Sequence, residues 1–159
     1  MTRLIGAMAV SVTCAIAIAA QAPAPASLSA SQRGHVKDER FGLVTSIRGL
    51  PLGVRDELQN LFGGPLDIAE PGAPFQATDV VSDARLPRRR LVAAGCSIDH
   101  CLVYYERGGI AHSWHVALFR WTPAATTLEA GGIAPAGLRS IDDLRSAVLS
   151  GVIKQSANW

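Results

Sequence analysis

The residues of this chain that could do chemistry lie closest together at Cys96 and Cys101, which enclose four residues in the segment CSIDHC. Within it, Asp99 offers a carboxylate and His100 an imidazole. Two thiols beside these groups could exchange disulfides, bind a metal ion or form a Cys/His nucleophile. Redox exchange normally uses two intervening residues rather than four. The choice among the remaining interpretations depends on whether the thiols are oxidised, and therefore on the compartment.

The N-terminal segment predicts export. Arg3 gives a positive start, an apolar stretch runs over residues 4–20, and the sequence APA at residues 24–26 fits the small-residue pattern of a cleavage site. We therefore expect residues 1–26 to be a cleaved secretory signal peptide and the protein to be periplasmic or secreted. The apolar stretch is slightly short for a membrane span of about 20 residues. We expect no stable membrane insertion once the signal is removed.

The predicted export determines whether the remaining cysteines are oxidised. Cys14 leaves with the signal, so Cys96 and Cys101 remain as an isolated pair, which in an oxidising compartment is most simply a disulfide. Neighbouring antiparallel strands bring Cα atoms to about 4.5–5.5 Å, within reach of such a bond. Because a disulfide consumes both thiolates, we expect no metal, no cofactor and no thiol nucleophile. Its main effect would be to hold Asp99 and His100 in one geometry, which favours binding because less entropy is lost on association.

The length, charge and motifs of the chain argue against several classes of function. Removal of 26 residues from 159 leaves 133, enough for one domain with a core, and removal of Arg3 lowers the net charge from +2 to +1. Arg88-Arg89-Arg90 is the only basic run, and at most two of its side chains can share a strand face. A nucleic-acid binder would show a clustered basic face, so we expect no nucleic acid as partner. The chain contains no G-x-S-x-G, no H-E-x-x-H and no phosphate-binding glycine loop, and we expect it not to be an enzyme.

The segment CSIDHC is positioned by predicted strands. Three segments rich in β-branched and aromatic residues, and one more strand candidate after a Thr-Pro turn, are joined by short links and predict an antiparallel meander. They span residues 89–96, 101–107, 113–121 and 126–131. Weaker strand candidates lie at 66–69 and 75–81, in a region divided by prolines and glycines.

Helices are predicted on both sides of these strands. Residues 52–62 have apolar residues at near-helical spacing, followed by Gly63-Gly64 as a left-handed cap. Near the C-terminus, Ser140 is a good N-cap and Gly151 ends the pattern. Residues 27–50 begin with a polar, aperiodic stretch and are interpreted as a flexible N-terminal arm. We expect one α+β domain over 51–159: a sheet of about five strands with an N-terminal and a C-terminal helix packed on it.

The second predicted hairpin has two apolar faces. We expect Cys101, Val103 and Tyr105 to share the core face with Trp114, Val116 and Leu118. The opposite face is also largely apolar, so a helix or a partner must cover part of it. This face suggests an alternative function, an envelope binding or assembly module whose ligand contacts it. Its candidate residues are Tyr104, Glu106, His115, Phe119 and Trp121.

CSIDHC resembles the loop of the periplasmic inhibitors of vertebrate, C-type lysozyme, which share a disulfide-closed loop of four residues containing a His and an Asp. LVAAGC before the loop, LVYYER and HVALFRW after it, and LRSAVLSG near the C-terminus are similar to that family's strands and closing helix. The resemblance covers residues 66–155. The family's loop usually carries His before Asp, whereas Asp99 precedes His100 in this chain.

The resemblance implies a periplasmic or secreted inhibitor whose protein partner is a C-type lysozyme. A retaining lysozyme has two carboxylates about 5–5.5 Å apart, and a protonated imidazole can donate a hydrogen bond to each of them. His100 would then enter the cleft and Asp99 would meet its rim. The implied inhibitory loop is Ser97, Ile98, Asp99 and His100, held rigid by Cys96 and Cys101. The remaining alternative is a stapled turn that binds no partner.

Overall fold

The computed structural model describes residues 27–81, 83–156 and 158–159. The predicted signal peptide therefore lies outside the described residues. In chain order the elements are α1 (Ala30–Asp38), β1 (Gly42–Val44), a 3-10 turn (Ile47–Gly49), α2 (Leu52–Phe62), β2 (Ile68–Ala69), β3 (Arg89–Cys96), β4 (His100–Arg107), β5 (Ser113–Trp121), β6 (Thr126–Ala134) and α3 (Ile141–Ser150). Within the described residues, three helices and one mainly antiparallel sheet confirm the predicted α+β class.

The sheet is built around an antiparallel meander of β3, β4, β5 and β6, each paired with the next strand along the chain. β1 pairs antiparallel with the C-terminal part of β3, and β2 runs parallel to its first two residues. The meander confirms the sequence prediction. The predicted strand over residues 75–81 does not form. Its backbone instead makes separate bonds to neighbouring loops, from Gln76 N to Pro87 O and from Gly109 N to Ala77 O.

Helices cover both faces of the sheet. α1 and α3 pack on one face, around Leu102 and Tyr104 of β4. α2 packs on the other face, around Val103 and Tyr105 of the same strand. Helices therefore cover both of the largely apolar faces. A helix is one of the two coverings that the sequence predicted for the face opposite the expected core.

The register of the second hairpin differs from the expected one. Cys101 pairs with Phe119 and Val103 pairs with Ala117, so odd positions of β4 share a face with odd positions of β5. The expected grouping with Trp114, Val116 and Leu118 is wrong, because the five residues 108–112 separate the strands and shift the pairing by one.

Residues 27–50 do not form the flexible arm that was predicted. α1 begins with a capping box, in which Ser29 and Gln32 exchange side-chain-to-backbone hydrogen bonds. Val36 is fully buried in the core beneath α1 and α3. Arg145 of α3 donates to the Val36 carbonyl oxygen at 2.8 Å, near the C-terminal end of α1. The helix was missed because Val36 is its only buried residue, so it lacks an apolar stripe.

The ends of the other two helices confirm the predicted caps. Gly63 ends α2 and Gly151 ends α3, both in the left-handed conformation that favours glycine. Ser140 accepts a hydrogen bond from the Asp143 backbone at 3.0 Å, and the Asp143 carboxylate accepts one from the Ser140 backbone. Hydrogen bonds to the carboxyl of Asp143, first from the Ser140 side chain and then from the backbone N–H groups of Arg139 and Ser140, lower the pKa of Asp143. The capping role accounts for this carboxyl.

Candidate functional site

The loop that joins β3 to β4 is closed by a disulfide between Cys96 and Cys101, as predicted. The two residues are direct partners in the β3–β4 ladder, with Cα atoms 4.1 Å apart. We call residues 96–101 the stapled loop. A disulfide between paired strand ends leaves no thiolate for metal binding or nucleophilic attack.

Hydrogen bonds fix the backbone of the stapled loop. Ser97 N donates to His100 O at 2.7 Å, and His100 N donates to Ser97 Oγ at 3.0 Å. The loop is also tied to β5, because Trp121 N donates to Asp99 O at 2.8 Å. Hydrogen bonds within the loop and one bond to β5 therefore hold the turn. The loop is preorganised, as the sequence predicts.

The tip of the stapled loop is Ile98, whose exposed fraction is 89%, while Asp99 is partly exposed. His100, the side chain expected to enter a partner's cleft, has an exposed fraction of only 1%. His100 is the first residue of β4, and strand alternation directs it to the same face as Leu102, the face covered by α1 and α3. His100 could enter a cleft only after the loop rearranged.

His100 lies in a cluster of titratable side chains. Its Nδ1 is 2.8 Å from Asp99 Oδ1 and 3.2 Å from the Glu39 carboxylate. Its Nε2 is 3.8 Å from Glu129 Oε2. We call His35, Glu39, Asp99, His100 and Glu129 the His100 cluster.

The end of α1 supplies two members of the His100 cluster. Glu39 is the C-cap residue of α1, and its Oε1 is 2.6 Å from Nδ1 of His35, one helical turn earlier. The His35 ring stacks on that of His100, with centroids 4.4 Å apart. Ser97 Oγ donates to Glu39, so the stapled loop and α1 share this carboxylate. The hydroxyl therefore bonds to a carboxylate and not to the imidazole of His100.

The charge of the His100 cluster is not balanced by neighbouring cations. Its three carboxylates face two imidazoles, and no Arg or Lys of the described part of the chain forms an ion pair with Glu39, Asp99 or Glu129. Glu129 Oε2 is buried and accepts no hydrogen bond from the part of the chain that the structure describes. A buried carboxylate oxygen without a donor is costly, so the cluster is suited to receive a positive charge.

Sequence reasoning found Asp99 and His100 but missed His35, Glu39 and Glu129. The His35–Glu39 spacing of four places both side chains on one helix face, and the S-x-x-Q pattern at Ser29 could have located the start of that helix. Glu129 lies in a predicted strand, but only the three-dimensional pairing of strands brings it near His100.

The alternative binding face does not exist as one surface. Tyr104 and Glu106 lie on the α1–α3 side of the sheet, whereas His115 and Phe119 lie on the α2 side. All four are buried, and Trp121 is only partly exposed. The expectation failed for the same reason as the register: the hairpin faces were assigned with the pairing shifted by one residue.

His115 is buried and packs against the side chain of Tyr105. Its Nε2 is 2.9 Å from Ser113 Oγ, its ring stacks on Tyr105, and its Nδ1 has no partner. Burial, with smaller contributions from Arg107 and Arg89, lowers the pKa of His115 to about 4. The ring is therefore neutral around pH 7.

No protein-family model, curated protein or solved structure gives a significant match to this chain. Within the residues that the structure describes, none of the helices combines the length and the apolar character needed to cross a membrane.

Proposed function

We propose that this protein is an exported inhibitor that binds its target enzyme through the stapled loop, and that the target is a C-type lysozyme. One observation carries the proposal: the loop backbone is fixed by a disulfide and by hydrogen bonds, while its tip side chain, Ile98, stands almost entirely in solvent. An exposed large apolar side chain on a rigid turn is the arrangement that costs least to bury on association.

The geometry favours a different leading residue from the one that the family resemblance implies. Ile98 would enter the partner first, and the partly exposed Asp99 carboxylate would meet polar or basic groups beside it. His100 would act from behind the loop as a positioning residue, because its ring fixes Asp99 on one side and packs on α1 on the other. In this mechanism the inhibitor blocks the cleft with the loop tip, without an imidazole between the enzyme's two carboxylates.

Lysozyme activity on cell walls provides the test. The purified protein at micromolar concentration should slow the clearing of a cell-wall suspension by a C-type lysozyme. Ile98→Ala should raise the inhibition constant about tenfold or more, since full burial of an isoleucine contributes roughly 1.5–3 kcal/mol.

Ile110→Ala is the matched control. Ile110 is also almost fully exposed, at 92%, but it lies in the β4–β5 loop at the opposite end of the strand. Ile110→Ala should leave inhibition unchanged. Absence of inhibition by the unmodified protein would exclude C-type lysozyme as the target, and equal effects of the two substitutions would exclude the stapled loop as the binding element.

A further inference from the structure

The His100 cluster contains a set of side chains with the chemistry of a metal site. Each of His35, Glu39 and His100 offers one ligand atom, and these atoms all lie within 4.8 Å of one another. We propose that these three residues, with Asp99 as a fourth ligand, bind a divalent transition-metal ion of the Zn²⁺ type. This site goes beyond the proposed inhibitory function and does not depend on it.

Three distances among the ligand atoms are near those that a tetrahedral ion requires, and the ligand atoms of His35, Glu39 and His100 all lie within 4.8 Å of one another. Zn²⁺ lies about 2.0–2.2 Å from nitrogen and carboxylate ligands, so neighbouring ligand atoms are about 3.3 Å apart. His100 Nδ1 is already 3.2 Å from Glu39 and 2.8 Å from Asp99. The 2.6 Å separation of His35 Nδ1 from Glu39 Oε1 must widen by less than about 1 Å, and the His35 ring, which stacks on the His100 ring with centroids 4.4 Å apart, must turn so that its Nδ1 faces the ion. His35 can make this movement, because 41% of its side chain is exposed.

The contacts around His100 Nδ1 are better satisfied by a cation than by a proton. One ring nitrogen carries at most one hydrogen, yet oxygens from both Asp99 and Glu39 approach this nitrogen. A single N–H could serve both oxygens only as a shared, three-centre hydrogen bond. A metal ion on Nδ1 would bind both oxygens and the second imidazole at once.

A carboxylate stands where the outer shell of such a site requires one. A metal-bound imidazole donates its other ring N–H, commonly to a carboxylate, which fixes the ring and its tautomer. Ligation through Nδ1 of His100 leaves the hydrogen on Nε2, which faces Glu129 Oε2 at 3.8 Å; the two atoms would have to approach to about 3 Å for a hydrogen bond. Among the described residues, that buried oxygen has no hydrogen-bond partner. The unpaired Glu129 oxygen is an observation separate from the ligand distances, and it supports the same metal site.

The donor set and the charge select the class of ion. Two imidazoles with carboxylates suit Zn²⁺, Cu²⁺ and Ni²⁺, whereas Mg²⁺ and Ca²⁺ prefer all-oxygen sites. A divalent ion would also offset two of the negative charges that the three carboxylates bring together. The partly exposed edge of His35 gives the ion a path from solvent.

A bound ion would connect α1 to the stapled loop. Its ligands would come from the last turn and C-cap of α1, and from the loop and first residue of β4. The metal would thus add a second attachment of the loop to the one that the bond between Trp121 and Asp99 provides.

Calorimetric titration of the chelator-treated protein with ZnCl₂ tests the site. We expect one equivalent of Zn²⁺ to bind and the melting temperature to rise by several degrees, because an ion that binds only the folded state stabilises it. MgCl₂ should produce neither effect. Co²⁺ should give the visible absorption bands of a tetrahedral complex, which a nonspecifically bound ion in water would lack.

His35→Ala is the decisive variant, because its side chain is partly exposed and its removal should leave the fold intact. It should weaken Zn²⁺ binding at least tenfold. His112→Ala is the matched control: His112 is also partly exposed, contacts a carboxylate (Glu106, 3.1 Å) and stacks on a ring (Trp114, 4.5 Å), but it lies in no such cluster among the described residues. The proposal is overturned if the unmodified protein gives no heat with ZnCl₂, or if His112→Ala weakens binding as much as His35→Ala does.

Discussion

The imidazole rings of His35 and His100 stack with their centroids 4.4 Å apart and their planes 29° from parallel. One ring belongs to α1 and the other to the first residue of β4, so this contact joins the N-terminal helix to the base of the stapled loop. It also explains why His100 is buried: α1 covers the side chain that would otherwise be presented at the loop. The position of α1 therefore sets which side chain the loop presents to solvent.

Val36→Ala should lower the free energy of unfolding by about 1–2 kcal/mol. Val36 is the one fully buried side chain of α1, and its truncation removes two methyl groups from the core that α1 shares with α3. Urea denaturation followed by circular dichroism measures the change. Val80→Ala is the control, because Val80 is 71% exposed and should change stability by less than about 0.5 kcal/mol. Equal stabilities of the two variants would mean that α1 does not contribute to the core.

Much of the fold could be predicted because its elements carry local information. β4 and β5 are rich in β-branched and aromatic residues, and short links join all four strands from β3 to β6, which is enough to predict a meander. Helix α3 has both a capping serine and a glycine stop. The face assignment failed because it depends on the exact pairing across residues 108–112, and one residue of shift exchanges every side chain between the faces. No local preference fixes that shift.

The site could be predicted only in part, for a related physical reason. The cysteines and the tight turn between them are local, and the disulfide follows from their spacing. The burial of His100 depends on Glu39, which is distant along the chain, and on a helix with a single buried residue. α1 is held mainly by tertiary contacts, including the bond from Arg145 to the Val36 carbonyl. Such contacts leave little pattern in the sequence of the helix itself.

Replacement of both cysteines, Cys96→Ala with Cys101→Ala, should lower the free energy of unfolding by about 2 kcal/mol. The disulfide closes a loop of only about six residues, so it removes little entropy from the unfolded chain. The unmodified protein measured in dithiothreitol should reach the same lowered urea midpoint as the double variant. A double variant with an unchanged midpoint would show that the ladder alone holds these strand ends.

Gly108→Ala should destabilise the protein by at least about 2 kcal/mol. A Cβ at this position would lie 1.7 Å from the carbonyl oxygen of Gln76, and a backbone atom cannot turn away as a side chain would. Gly64→Ala provides the comparison, since a Cβ there meets nothing within 4 Å and the residue does not have a positive φ. Thermal melting should separate the two variants clearly, and similar melting temperatures would contradict the close approach of Gln76 to Gly108.

His115 should make the protein less stable in acid. Burial lowers the pKa of His115 to about 4 in the folded state, against 6.5 as its ordinary value. Because the pKa of His115 is lower in the folded state, the unfolded chain binds the proton more readily. The contribution of His115 to the free energy of unfolding is therefore fully present above about pH 6.5. It is lost progressively as the pH falls from 6.5 to about 4, below which no further loss arises from this group. The difference between the two pKa values corresponds to a loss of about 3 kcal/mol.

Urea titrations at several pH values between 7 and 4 measure this loss, with His115→Gln as the comparison. Glutamine does not titrate, so the free energy of unfolding of the variant should fall less than that of the unmodified protein between pH 7 and pH 4. The difference between the two losses should be about 3 kcal/mol. The variant starts from a lower stability at pH 7. Parallel curves for the two proteins would mean that another group causes the acid sensitivity. The expected difference follows from the site of His115, which lies beneath α2, stacks on Tyr105 and leaves Nδ1 without an acceptor. Protonation would place a charge where no carboxylate pairs with this ring among the described residues.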